Sequence, residues 1–250
     1  MHLPHTLALT LSAILSMTFL ATAYAQNCEA KSGDKPLTVV ELYTSEGCSS
    51  CPPADQWLGQ LKSNPNVLAM SFHVNYWNYL GWKDPYASQA TTERQYLLQK
   101  AMRASHVYTP QVVLNGNDFR LWRYVSAKNL SSPLAADAPR LRLQRNGQTI
   151  TASIEQSAQQ QTLAGYWVVL QDGVTSKVLR GENAGETLQH DHVVSAYQPV
   201  TAWSANKSHN LQFTMPITQK ALAGSKERVA FVVTDSSLSK PVQALVLSCS

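Results

Sequence analysis

The chain has 250 residues, 20 basic against 16 acidic side chains, and a formal charge of +4. Charged residues make up 14%, well below the roughly 25% of ordinary soluble chains, and Gln, Ser, Thr and Asn fill the gap. That excludes disorder driven by like-charge repulsion. The nearest approach to a basic cluster, Arg140-Leu-Arg142-Leu-Gln-Arg145, divides its arginines between two strand faces, so a nucleic-acid partner has no footing.

Met1 to Ala25 holds no Lys, Arg, Asp or Glu. Leu7 to Leu20 is mostly apolar but shorter than the ~20 residues a membrane span needs, and it leads to Ala23-Tyr24-Ala25, an A-x-A cleavage pattern. Residues 1–25 therefore read as a signal peptide, with positive charge only from the amino terminus, His2 and His5. An uncleaved anchor is the alternative. The mature chain is expected to start at Gln26 and to work in the periplasm or as a secreted protein, free of the membrane after cleavage. Disulfides persist there.

Four cysteines divide into two kinds. Cys48 and Cys51 form a C-S-S-C pair in a turn, so by elimination Cys28 and Cys249 pair as a structural bridge across nearly the whole mature chain. A single zinc on all four thiols fits less well, because structural zinc sites usually bring two closely spaced ligand pairs.

Thr38 to Thr44 reads as a strand buried on both faces. The dithiol turn follows, then helical spacing from Pro52 to Leu61 and a second strand at Asn66 to Val74. Asp84-Pro85 predicts the start of a helix running to about Ser105. Gln111 to Leu114 and Asp118 to Trp122, around Asn115-Gly116, predict a hairpin with a type I′ turn. This order implies an α/β domain over 26–130. Residues 131–139 read as a linker. Over 140–250 the pattern becomes short strands with hairpin turns at Asn146-Gly147 and Asp172-Gly173, the signature of an all-β sandwich-like domain.

A C-x-x-C at a helix start supports reversible exchange, because the helix N-terminus stabilises a thiolate. Pro52 and Pro53 lack N–H groups and tolerate only a first turn, which sets Cys51 at the cap. Cys48 is then the nucleophile and Cys51 the resolving thiol. After a buried strand in a βαβ context this is a thioredoxin-type signal.

Val39 to Asp55, His73 to Pro85, Tyr108 to Gln111 and Arg180 to Gly185 resemble the signature blocks of a bacterial family that is exported, thioredoxin-like and catalogued as a domain of unknown function. The resemblance implies a thioredoxin fold with added structure and names no substrate. Two departures limit it. Gly47 stands where classical thioredoxins have Trp, and Ser49-Ser50 where they have Gly-Pro. Asn75 and Asn78 replace residues that are often acidic in the family, removing any carboxylate role there. By the same resemblance Thr109-Pro110 is expected to be cis and to frame a polypeptide groove, with Pro110 beside the dithiol and Thr109 contacting substrate.

Glu41 lies on the strand before the dithiol. One reading makes it a buried acid that takes the proton from Cys51; the other has it reach solvent or an arginine. Glu46 reads as solvated. Phe72 to Tyr86 is dense in aromatics, and Tyr76, Trp77 and Trp82 are candidate substrate contacts beside Cys48 or packing between the two halves. His73 and His106 could complete a copper site with the thiols; His190 and His192, facing one side of a strand, read as structural.

The sequence thus predicts an exported thiol–disulfide oxidoreductase using Cys48, Cys51, Glu41 and Pro110. It needs no cofactor or resident metal, only a protein thiol or disulfide substrate and a redox partner protein. The alternatives are a copper(I) delivery module and a non-catalytic interaction protein stapled by an inert Cys48–Cys51 bridge.

Overall fold

A computed structural model describes residues 27–131, 137–157, 161–216 and 227–249. The signal peptide expected at 1–25 and most of the expected linker, residues 132–136, lie outside them. Segments that are apolar at consecutive positions set the architecture. Thr38 to Thr44, Leu163 to Gln171 and Val229 to Thr234 are buried along their whole length, which strands achieve when both sheet faces are covered.

In chain order the main elements are β1 (Asn27–Lys31), β2 (Thr38–Thr44), α1 (Pro52–Gly59), β3 (Val67–His73), α2 (Gln89–Ala101), β4 (Gln111–Leu114) and β5 (Asn117–Asp118). Then come β6 (Leu141–Asn146), β7 (Thr149–Ile154), β8 (Thr162–Gln171), β9 (Val174–Lys177) and β10 (Thr187–His190). The last four are β11 (Val193–Ser204), β12 (His209–Thr214), β13 (Glu227–Asp235) and β14 (Pro241–Leu247). An eight-stranded sheet has the order β14-β13-β8-β11-β3-β2-β4-β5, a four-stranded sheet the order β1-β6-β7-β12, and β9 pairs with β10.

This corrects the expected fold class. The chain does not build an α/β thioredoxin-like domain followed by a separate all-β sandwich. It is a β-rich, multi-sheet fold, 43% strand and 18% helix among the described residues, and strands from both halves of the sequence share the large sheet. The join is β11 against β3: Val193 lies opposite Ser71 in parallel register, and the Ser71 N–H donates to the His192 carbonyl at 2.8 Å. A fully buried apolar strand announces that it is covered on both faces; it does not say which strands flank it.

On one face of the large sheet, Val39, Tyr43, Met70, Tyr166, Val168 and Val232 pack with Leu98 of α2 in a single core. On the other, Ala54, Trp57 and Leu58 of α1 cover Val40 and Leu42. The four-stranded sheet covers the rest of that face through Leu143, Ile150 and Phe213 against Trp167 and Phe231. A Cys28–Cys249 disulfide ties the start of β1 to the chain beyond β14.

Local expectations need smaller corrections. α2 begins at Gln89, where Ser88 and Thr91 form a reciprocal capping box, and it ends at Ala101. Asp84 is buried elsewhere. The hairpin turn has Asn115 at φ 47° and Gly116 at φ 77°, as type I′ requires, but its second strand is only Asn117–Asp118 and Arg120–Tyr124 is a 3-10 turn. His192 is not on a strand with His190; it sits in the turn before β11 at φ 59°. β1 and β10 were not foreseen.

Candidate functional site

β2 ends by delivering the chain into the turn Ser45 to Ser50 on the α1 side of the sheet. Cys48 and Cys51 are joined by a disulfide there. Cys51 is the residue before α1, and its carbonyl accepts from the N–H groups of Ala54 at 2.8 Å and Asp55 at 3.2 Å. Pro52 and Pro53 open the helix, so two of the usual orphan donors are missing while the helix dipole remains. Cys48 Sγ lies 3.5 Å from Ser50 Oγ.

The turn is covered. Cys48 is 1% exposed and Cys51 0%, whereas Ser49 and Ser50 face solvent. A nucleophilic Cys48 calls for an accessible sulfur here, yet two segments bury it. Trp77 crosses Gly47 so closely that a Cβ at residue 47 would come within 2.9 Å of Trp77 Cβ. This is why the position before Cys48 has no side chain. From the second half, Asn183 Nδ2 donates to the carbonyls of Glu46 at 2.8 Å and Cys48 at 3.0 Å, and Glu182 Oε2 accepts from the Ser49 N–H at 2.8 Å. That bond holds the Glu182 carboxyl below its usual range.

Glu46 is the hub beneath the turn. It is completely buried, which overturns its reading as solvated. Its Oε2 accepts from Trp82 Nε1 at 2.7 Å, and its Oε1 accepts from Ser176 Oγ and lies 3.2 Å from His190 Nε2. Its N–H donates to Asp84 Oδ2 at 2.9 Å. Asp84 Oδ2 also lies 2.8 Å from His73 Nδ1. Burial works against a charged Asp84, but the contacts with His73, Glu46 and Tyr86 outweigh it and hold the carboxyl below its usual range. His190 and His73 meet edge to face at 4.7 Å. Burial alone would keep His190 neutral; Asp55 and Glu46 outweigh it and push the imidazole up to about 10.

A family model described as "Protein of unknown function (DUF1223)" matches residues 39–234. The chain belongs to the DUF1223 family. A crystal structure of a protein from Agrobacterium tumefaciens is similar, with a TM-score of 0.60 and 26% identity over 87% of this chain and 96% of that one. HBP35 of Porphyromonas gingivalis shares the fold, with a TM-score of 0.58 and 14% identity over 87% of this chain and 76% of that one. No curated protein matches the chain.

All four blocks quoted from the sequence fall inside the DUF1223 match; the first holds the dithiol turn, and hydrogen bonds bring His73 to Pro85 and Arg180 to Gly185 to it. Thr109-Pro110 is a cis peptide bond. Thr109 Oγ1 accepts from Trp77 Nε1 at 2.8 Å, so Trp77 links Gly47 to the Thr109-Pro110 edge. Beyond that edge lies an open groove of about 470 Å³ lined by Tyr108, Thr109, Pro110, Arg120, Arg123 and Tyr124. Tyr76 turns instead to α2, its hydroxyl donating to Gln95 at 3.2 Å.

Glu41 is on the opposite sheet face from α1. Side chains alternate along a strand, so Val40 and Leu42 face α1 while Glu41 and Tyr43 face α2. Both Glu41 oxygens accept from Arg94, at 2.8 and 3.0 Å, and Oε2 also accepts from Tyr43 at 2.6 Å. This is the arginine-bound arrangement weighed as its second reading. His106 is exposed and bonded to Ser105, while His73 groups with His190 and Asp55. Sequence reasoning missed Glu46, Asp55, Asp84, Asn183 and the role of His190. Glu46 and Asp55 lie in the Val39 to Asp55 block, Asp84 in His73 to Pro85 and Asn183 in Arg180 to Gly185, but no block hinted that they meet at the turn, and His190 lies in none of them.

Proposed function

We propose that this DUF1223 protein is an exported thiol–disulfide oxidoreductase that exchanges the Cys48–Cys51 bridge with cysteines of polypeptides. The observation that carries this reading is a two-cysteine disulfide at the start of α1, linked through Trp77 to the cis Thr109-Pro110 edge and its groove. In the reducing direction, the Cys48 thiolate attacks a substrate disulfide, forms a mixed disulfide and releases one substrate thiolate. Cys51 then attacks the Cys48 sulfur, closes the bridge and releases the second. Two electrons pass to the substrate and the two thiol protons end on its sulfurs. The oxidising direction is the reverse, and a dithiol or disulfide partner protein resets the pair. No organic cofactor enters. The loop Arg180 to Gly185 must withdraw from Ser49 and Cys48 to admit a substrate sulfur.

The burial of both sulfurs favours a second reading, an inert staple. The reduction potential separates the two. A value between about −120 and −270 mV supports exchange, the less negative end indicating oxidation and the more negative end reduction. A value below about −300 mV marks a structural bridge and ends the proposal. A periplasmic or secreted location rests on the A-x-A segment and is supported by the two disulfides. Among the described residues no helix is long and apolar enough to cross a membrane.

A further inference from the structure

Two of the buried side-chain nitrogens that lack a hydrogen-bond partner among the described residues lie between β3, α1 and β10. His73 and His190 are both buried there, each with one ring nitrogen held by a carboxylate and the other without a hydrogen-bond partner. Asp84 takes His73 Nδ1 and leaves Nε2; Glu46 faces His190 Nε2 and leaves Nδ1. A buried nitrogen without a partner is costly, and most native ones are satisfied. Asp55 completes the pocket. Its Oδ2 accepts from Thr44 Oγ1 at 2.8 Å, while its Oδ1 lies 3.7 Å from His190 Nδ1. Asp55, His73 and His190 each offer a ligand atom within 4.8 Å of the others.

We propose that Asp55, His73 and His190 form a binding site for a divalent transition-metal ion. Two imidazole nitrogens and one carboxylate oxygen suit zinc or ferrous iron with a position left open. Calcium and magnesium prefer all-oxygen sites, and cuprous copper prefers sulfur. Asp84 and Glu46 stand where outer carboxylates orient metal-binding histidines, fixing the ring nitrogen that faces the ion. Tetrahedral donors about 2.0–2.1 Å from zinc are roughly 3.4 Å apart, so the three side chains need close only slightly. A cavity of about 430 Å³ between α1 and β10, lined by Asp55 and His190 among others, gives an ion its way in. The site does not use the thiols and does not rest on the exchange reading.

The test uses the mature chain with both disulfides oxidised, so that no thiol can bind. After chelator treatment, zinc is titrated by calorimetry and cobalt(II) by its visible absorption. The expected result is one ion per chain and a cobalt spectrum with nitrogen ligands. His190→Gln should weaken binding by more than about 100-fold, and Asp84→Asn by about 10–100-fold. Absence of zinc binding by the wild-type chain, or equal binding by a folded His190→Gln, overturns the proposal. Should His190→Gln not fold, the imidazole nitrogen resonances of the wild-type chain decide: two rings shifting with zinc support the site, and none shifting overturns it.

Discussion

Two buried clusters built on carboxylates lie on opposite sides of the large sheet and are satisfied to different degrees. On the α2 side, Glu41 is held by Nε and Nη2 of Arg94 and by Tyr43, with Tyr166 3.4 Å away. Arg94 donates its remaining fork to the Leu238 carbonyl and lies over the Tyr166 ring. On the α1 side, Glu46 and Asp84 are equally buried and fully engaged, but the two histidines they hold are left with free ring nitrogens. Buried charge alone does not mark a functional site. The first cluster closes on itself; the second leaves His73 Nε2 and His190 Nδ1 without a hydrogen-bond partner.

Breaking the closed cluster should have the largest effect. Arg94→Ala strands Glu41 in the core and is expected to cost about 3–5 kcal/mol in denaturant unfolding. The double replacement Glu41→Leu/Arg94→Met should cost far less, because no charge is left unpaired. Neither change should alter the Cys48–Cys51 potential if the two clusters are independent. Zinc sharpens the contrast: at 100 times its Kd it should stabilise the chain by about 2.7 kcal/mol, an increment that His190→Gln removes and the double replacement keeps.

Smaller effects probe the cover over the dithiol. Gly47→Ala forces Trp77 away from the turn and should cost about 1–3 kcal/mol while speeding alkylation of the reduced pair. Asn183→Ala removes two hydrogen bonds to the turn, at about 1 kcal/mol each, and should speed thiol trapping with little change in potential. The smallest shift belongs to Glu182→Gln. A negative charge beside the turn disfavours a thiolate, so its removal should modestly speed alkylation of the reduced Cys48 at a fixed, near-neutral pH. Salt should shrink the difference, because Glu182 is exposed.

What could be read from the sequence follows the range of each interaction. The Cys48–Cys51 turn and the start of α1 are stated locally in residues 38–59, the hairpins by Asn115-Gly116 and Asn146-Gly147, and the Cys28–Cys249 bridge by counting. The hairpin expected at Asp172-Gly173 does not form, because β8 pairs with β11 and β13 while β9 pairs with β10. Asp84-Pro85 looks like a local helix start, yet Glu46 and His73 claim the Asp84 carboxylate and the helix waits for Ser88. The Glu46 hub joins residues more than a hundred positions apart, such as Ser176 and His190, and a single sequence carries no signal for such pairings. The same holds for β11 beside β3, which turned two expected domains into one shared sheet.

Trapping of a mixed disulfide at Cys48 tests the exchange claim most directly. In Cys51→Ser, native and with the Cys28–Cys249 bridge intact, a peptide disulfide should form a stable adduct at Cys48, faster than at Cys51 in Cys48→Ser. An adduct that appears only after unfolding in urea would contradict the account and leave Cys48–Cys51 a structural bridge.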